Sequence, residues 1–227
     1  MIYLTGDTHI HIDVSKLDTK HFTEGKQLTK DDYVVVLGDF GLYWQNNKTF
    51  QYWHKWFQEK SWTTLWIDGN HENFDWIDSM EVSEWNGGKV HKDGSIIHLM
   101  RGQVYEIEGK TFFTMGGADS IDKAQRTENI SWWPQEILSH GDIEEGLRNL
   151  EKYGNSVDYV LTHTCPKELI TKMFKVTPWP EYNNVERVLQ EFADIVSFRH
   201  WYFGHWHEDQ DYGNYSCLFD RVLKLEE

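Results

Sequence analysis

Five short apolar runs along the chain share one pattern, because each is rich in β-branched or aromatic residues and ends at a polar residue or glycine. Continuous runs of this length are typical of strands buried on both faces, as in parallel sheets. We therefore predict five buried strands. The runs are Ile2 to Thr5, Tyr33 to Leu37, Thr63 to Ile67, Tyr159 to Thr162 and Trp201 to Phe203.

Helical spacing appears between these runs. Between the second and third strands, large aromatic residues occur at helical spacing, at Phe50, Trp53, Trp56 and Phe57. This spacing predicts an amphipathic helix that crosses over the sheet. Similar spacing predicts helices over 142–153 and 183–193. Strands that alternate with helices indicate an α/β fold.

The pattern changes between Lys89 and Met115, where short alternating stretches are separated by Asp93-Gly94, Arg101-Gly102 and Glu108-Gly109. Such spacing is typical of antiparallel hairpins and suggests a second sheet. A mostly parallel sheet followed by hairpins points to a layered sandwich. At 227 residues, the length favours a single domain over 1–227.

Composition and charge narrow the class of protein. No apolar stretch approaches the roughly 18 residues of a membrane span, the N-terminal residues lead directly into the first predicted strand, and the two cysteines are too few for a disulfide framework. These features predict a soluble, cytoplasmic protein that does not bind membranes. The formal net charge of −15 opposes extended contacts with nucleic acid. A small phosphate could still bind where cations reverse the local charge.

Polar residues follow every predicted strand, at the sheet edge where sites form in open α/β folds. Asp7 and His9 are two residues apart, as are His205 and His207. In an extended loop both members of such a pair face the same side, so each pair offers two ligands to one cation or one ligand to each of two. Mixed oxygen and imidazole ligands suit divalent Mn, Fe, Zn, Co or Ni better than Ca or Mg.

Five motifs in this order resemble those of the calcineurin-like metallophosphoesterases, including uncharacterised bacterial and phage members. The resemblance implies an α/β fold with a two-sheet β-sandwich flanked by helices. It also implies two metal ions: Asp7, His9 and His207 would bind one, Asn70, His163 and His205 the other, and Asp39 would bridge them. The motifs are Gly6-Asp7-Thr8-His9, Gly38-Asp39, Gly69-Asn70-His71-Glu72, Thr162-His163 and Gly204-His205-Trp206-His207.

The resemblance also implies catalytic roles for Asp39 and His71. Two cations about 3.5 to 4 Å apart make a bridging hydroxide available near neutral pH and polarise a phosphoryl group. Asn70 and His71 are expected at the substrate, with His71 donating a hydrogen bond to the phosphate and a proton to the leaving oxygen.

The sequence departs from the phosphoprotein phosphatase branch of the family. That branch has an aspartate three residues after the bridging aspartate, as a partner for the catalytic histidine, with an arginine soon afterwards. Here Leu42 occupies the aspartate's position, and no arginine follows nearby. A phosphoprotein substrate is therefore disfavoured. Glu72 and Asp68 are the nearest acids to His71 in sequence, and neither is assigned as its partner.

A glycine-led segment after the hairpins leaves two questions open. Arg126 is interpreted either as a clamp on the substrate phosphate or as a surface ion pair with a neighbouring acid. Trp132 and Trp133 belong either to a substrate lid or to a hydrophobic plug packed on the sheet.

These observations predict a metal-dependent enzyme with two divalent ions, manganese first among them, that hydrolyses a phosphodiester in a small nucleotide or cyclic nucleotide. The alternatives are a phosphomonoesterase and, less favoured, a nuclease, a phosphoprotein phosphatase or a non-catalytic metal-binding scaffold. A scaffold is expected to lack ligands, whereas every expected ligand position is filled here.

Overall fold

The computed structural model describes residues 1–176 and 184–226. All five predicted strands are present. The strands, numbered in chain order, are β1 (Ile2–Thr5), β2 (Tyr33–Leu37), β3 (Thr63–Ile67), β4 (Val82–Trp85), β5 (Gly88–Asp93), β6 (Ile96–Leu99), β7 (Gln103–Ile107), β8 (Lys110–Met115), β9 (Ser156–Thr162), β10 (Ser197–Phe203), β11 (Gln210–Tyr212), β12 (Tyr215–Cys217) and β13 (Leu223–Lys224).

The described strands form two mixed sheets. The first has the spatial order β13-β1-β2-β3-β6-β5-β4, and the second has the order β11-β12-β10-β9-β8-β7. In the first sheet β1, β2, β3 and β6 are parallel, and in the second β8, β9, β10 and β12 are parallel. The carboxyl ends of the parallel strands in each sheet therefore meet at one edge.

The predicted hairpins exist, but they divide between the sheets. β5 and β6 pair antiparallel across the Asp93-Gly94 turn and extend the first sheet, because β6 also pairs with β3. Within this segment, only β7 and β8, joined through Glu108-Gly109, belong to the second sheet. The expectation that the whole segment forms the second sheet is therefore wrong for its first half. Local alternation shows that a hairpin forms but not which sheet it joins.

Successive side chains in a strand point to opposite faces of the sheet and so contribute to two different apolar layers. In β2, Val35 and Leu37 point into the core between the sheets, whereas Val34 and Val36 point outwards into a second apolar layer. Because both faces are buried, the strand is apolar throughout, which explains the continuous runs in the sequence.

Helices cover both outer faces of the sandwich. Phe57 of the crossover helix packs on the outside of the first sheet, while Leu150 and Leu189 pack on the outside of the second. The helices are α1 (Lys48–Gln58), α2 (Phe74–Asp78), α3 (His140–Lys152), α4 (Lys167–Phe174) and α5 (Asn184–Ile195).

Three helices agree with the sequence prediction within about two residues. α3 starts two residues before the predicted position because Ser139 and Asp142 form a capping box. The predicted start at Asn183 lies outside the described residues. No helix in the described parts of the chain combines the length and apolar character needed to cross a membrane.

Candidate metal centre

The loops after β1, β2, β3, β9 and β10 meet at one edge of the sandwich. The structure brings together all seven residues predicted as metal ligands there. In three groups, the potential ligand atoms lie within 4.8 Å of one another. The groups are Asp7, His9 and His207; His9, Asp39 and His71; and Asp39, His163 and His205.

Asp39 lies between the groups. Its Oδ2 is 3.1 Å from His9 Nε2, and its Oδ1 is 3.3 Å from His163 Nε2. Asn70 contributes its Oδ1 at 3.2 Å from His163 Nε2. One carboxylate thus faces two neighbouring sets of ligands, which is the arrangement expected of a bridging residue.

Asp7 is fully buried, and one of its oxygens accepts no hydrogen bond from the residues that the structure describes. Oδ1 accepts a hydrogen bond from the backbone N–H of His205 at 2.9 Å. Oδ2 lies 3.1 Å from His207 Nε2 but accepts no well-aligned hydrogen bond from the described residues. A buried carboxylate oxygen without a donor is costly. A divalent cation between Asp7, His9 and His207 would remove that cost, so these residues fit a metal ion.

The electrostatics of the centre favour positive charge. Burial alone would lower the pKa of His163, but the carboxylates of Asp39 and Asp7 raise it to about 10. Burial likewise opposes protonation of His9, whereas its hydrogen bond with Asp39 raises the pKa to about 9. His205 differs, since burial and the neighbouring His163 lower its pKa to about 3. Two buried carboxylates attract positive charge here, which a metal ion supplies directly.

The backbone is unusual at four of these residues. His9, Asp39, His205 and His207 have φ of 34°, 46°, 68° and 50°, in the left-handed region that most side chains avoid. Glycines make room for their side chains: a Cβ on Gly69 would overlap the Asp39 carboxylate. Close approach of the Asp39 carboxylate therefore requires glycine at position 69.

His71 lies beside the centre and contacts Arg126. Its backbone N–H donates to Asp39 Oδ1 at 2.8 Å, and its Nδ1 is 3.0 Å from Arg126 Nη1. Burial and the guanidinium of Arg126 lower the pKa of His71, against the opposing effect of Asp39. Arg126 Nε also donates to Asp122 Oδ1 at 2.8 Å. The ion pair considered from the sequence is present, and the same guanidinium still reaches the site.

The acids next to His71 in sequence have other partners. Glu72 is buried and accepts hydrogen bonds from the backbone N–H groups of Phe40 (2.7 Å) and Gly41 (3.3 Å), which shapes the loop after Asp39. Asp68 Oδ2 accepts from Arg101 Nη2 at 2.6 Å. Neither carboxylate partners the His71 imidazole.

Trp133 fits one of the two interpretations of the tryptophan pair. Trp133 is 3% exposed, packs against Trp44 and donates from Nε1 to Asp75 Oδ2 at 2.9 Å, so it is a plug. Trp132 is half-buried.

Sequence reasoning missed two residues that support the centre. Asp13 Oδ2 lies 2.8 Å from His9 Nδ1 and orients that ring. Its spacing of four residues from His9 was a usable signal. Lys16 is buried and donates from Nζ to the backbone oxygen of Asp7 at 2.6 Å. A lysine among apolar neighbours in sequence gave no comparable signal.

Comparison with known proteins adds a family match. The family model described as calcineurin-like phosphoesterase matches residues 1–209. No match is found among curated proteins. Among solved structures, the chain is similar to the crystal structure of phosphopantetheinyl hydrolase (PptH) from Mycobacterium tuberculosis, at 13% identity and a TM-score of 0.49, covering 96% of this chain and 87% of that chain.

Proposed function

Because the chain belongs to the calcineurin-like phosphoesterase family and is a metal-dependent phosphoester hydrolase, we propose that it hydrolyses a phosphodiester, in a small nucleotide or cyclic nucleotide. The observation that carries this proposal is the position of Asp39 between two sets of ligand atoms at the ends of both sheets. Neither fold alone nor charge alone would indicate this chemistry.

The family implies divalent metal ions, and we propose two sites. Asp7, His9 and His207 would hold one ion, and Asn70, His163 and His205 would hold the other. Asp39 would contribute to both sites. We propose manganese first, with iron, zinc, nickel or cobalt as alternatives, since imidazole and oxygen ligands without sulfur suit these divalent ions. Such ions acidify water and polarise phosphoryl oxygens when bound.

His71 and Arg126 then act on the phosphate from the protein side. Arg126 approaches both ring nitrogens of His71, with Nη1 3.0 Å from Nδ1 and Nη2 3.4 Å from Nε2. A guanidinium can only donate, so we assign the closer nitrogen, Nδ1, as the acceptor and place the proton on Nε2. From Nε2 the ring would donate to a phosphate oxygen and pass a proton to the leaving oxygen once substrate replaces the longer contact. Arg126 adds its own charge beside the same phosphate.

Charge and neighbouring residues support a small diester. The net charge of −15 opposes binding of long polyanions. His71 lacks the aspartate partner of the phosphoprotein branch, because Leu42 is buried in the apolar layer at the corresponding position. A phosphomonoester is the second candidate, favoured by Arg126, since a guanidinium beside His71 suits a dianionic phosphate.

The test compares rates on bis(p-nitrophenyl) phosphate and p-nitrophenyl phosphate, with manganese and with chelator. We expect faster metal-dependent turnover of the diester. His71→Ala should lower kcat by about 10²- to 10⁴-fold, the range for losing a positioned acid or base. Asp39→Asn should also lower kcat, because it removes the carboxylate shared by the two proposed metal sites. His140→Ala, at an exposed histidine of α3, is the control and should match the wild type.

Two outcomes would refute parts of this proposal. Full activity in metal-free enzyme would exclude the metal mechanism. Faster turnover of the monoester would replace the diester assignment with the second candidate.

A further inference from the structure

A buried chain of hydrogen bonds leads from Asn70 into the segment after β8. Asn70 Nδ2 donates to Ser120 Oγ at 3.0 Å. Ser120 Oγ donates to Glu136 Oε2 at 2.6 Å, and the backbone N–H of Ser120 donates to Glu136 Oε1 at 2.8 Å. Asn70, Ser120 and Glu136 are 6%, 2% and 0% exposed. Solvent therefore offers these groups few alternative partners.

Burial raises the pKa of Glu136, and the hydrogen bonds from Ser120 lower it. In its ionised form, Glu136 fixes the direction of every bond in this chain. Both oxygens of Glu136 accept, and the single hydroxyl proton of Ser120 is committed to one of them. Ser120 Oγ can then only accept from Asn70. Asn70 must therefore turn its NH₂ group towards Ser120 and its Oδ1 towards His163, the side from which it would bind a cation.

The position of Ser120 is itself held from both sides. Next to it, Asp119 Oδ2 accepts from the backbone N–H of Val185 in the first turn of α5 at 3.0 Å. Gly117 has φ of +84°, and a Cβ there would lie 2.5 Å from the backbone oxygen of Glu136. The close approach of Glu136 to this segment thus requires glycine at 117.

We infer that Ser120 and Glu136 are positioning residues that keep the oxygen of Asn70, and not its nitrogen, directed at the metal site. The inference rests on the proposed function, because it takes Asn70 to be a ligand. The oxygen of an amide binds cations, whereas its NH₂ group repels them. An asparagine ligand therefore needs hydrogen bonds that fix its orientation, whereas either oxygen of an aspartate could bind the ion.

Glu136→Gln tests the direction of the bonds with almost no change in shape. A glutamine can accept from only one of the two Ser120 donors, so either one donor is left unpaired or its own NH₂ faces Ser120 Oγ. In the second case Ser120 can turn its proton towards Asn70, which favours the flipped amide. We expect affinity for one of the two metal ions to fall about 10- to 100-fold, the range for losing a partner that orients a ligand.

The experiment is titration of metal-free protein with manganese, followed by calorimetry and by the electron paramagnetic resonance signal of free Mn²⁺. Ser120→Ala should weaken the same site. Glu186→Gln is the matched control, since Glu186 is also buried and bonds to Thr164 without touching Asn70. It should leave both affinities at wild-type values. Thermal unfolding of the metal-free variants shows that each is folded.

A double substitution separates positioning from a merely structural role. Asn70→Asp removes the NH₂ group, and Ser120 then faces a carboxylate with no proton to offer. Adding Glu136→Gln frees a donor towards that carboxylate. In the Asn70→Asp background, Glu136→Gln should therefore leave metal affinity unchanged or raise it.

Equal losses from Glu136→Gln in both backgrounds, or wild-type affinities in the single variant, would overturn the inference. Asn70→Ala distinguishes this from failure of the proposed function. If it lowers metal affinity while Glu136→Gln does not, only the inference falls. If Asn70→Ala binds both ions normally, the ligand assignment and the inference fall together.

Discussion

Glu186 gives a prediction about stability that is separate from catalysis. It lies in the first turn of α5, is 3% exposed and accepts from Thr164 Oγ1 at 3.0 Å through Oε1. Its Oε2 has no partner among the described residues. Burial raises the pKa of this carboxyl from 4.5 to about 8. The folded state therefore holds a proton that the unfolded chain releases at a lower pH.

The sign of the effect follows from proton binding. Between pH 4.5 and about 8 the folded protein binds one more proton than the unfolded chain at this residue, so stability falls as pH rises. Each pH unit costs at most about 1.4 kcal/mol, which sets a ceiling of about 5 kcal/mol above pH 8. Relaxation around the charge reduces this, and we expect about 2 kcal/mol.

Glu186→Gln removes the titrating group while keeping the hydrogen bond from Thr164. At pH 5 the variant and the wild type should be equally stable, whereas at pH 9 the variant should gain about 2 kcal/mol, or about 4 to 8 °C in Tm for a chain of this size. Urea unfolding of metal-free protein at both pH values measures the difference. Glu84→Gln, at an exposed position in β4, should change nothing. The reasoning would be refuted if the free energy of unfolding of Glu186→Gln fell between pH 5 and pH 9 as steeply as that of the wild type.

Two further predictions concern the ion pair near the site and the metal. Arg101→Met leaves the buried Asp68 carboxylate without its guanidinium partner and should lower the free energy of unfolding in urea by about 3 to 5 kcal/mol. The control is Arg199→Met, at an exposed arginine 4.0 Å from Asp158, which should cost less than about 0.5 kcal/mol. Equal losses in the two variants would contradict the argument. Manganese at 100 times the Kd should stabilise the folded protein by about 2.7 kcal/mol and so raise its Tm above that of protein with chelator. Asp39→Asn should lose most of that increase. A wild-type Tm that manganese does not change would be the contrary result.

The sequence predicted the strands that are buried on both faces, because burial imposes apolar residues on them. Val34, Val35 and Val36 in β2 are an example. Both edge strands of the first sheet were missed for the converse reason: β4 is largely exposed, and β13 pairs over only two residues. Their formation depends on a neighbouring strand and leaves little trace in their own composition.

The grouping of the site residues was predictable, because the carboxyl ends of parallel strands meet at an edge. Contacts made by loops were not predictable. Arg126 and His71 are 55 positions apart, and their contact depends on the path of an irregular segment. The spacing of Asp122 and Arg126 favours a local ion pair, but it does not show that the same guanidinium also faces the centre. The bonds of Ser120 to Glu136 depend on the same path.

The left-handed backbone at His9, Asp39, His205 and His207 implies a trade-off between stability and function. Sparsely populated conformations cost up to about 1 to 3 kcal/mol each, although aspartate and histidine tolerate this one better than most residues. Glycine at any of the four positions would relieve strain and remove a proposed ligand at once. Selection for stability of the metal-free chain alone would therefore favour losing these side chains.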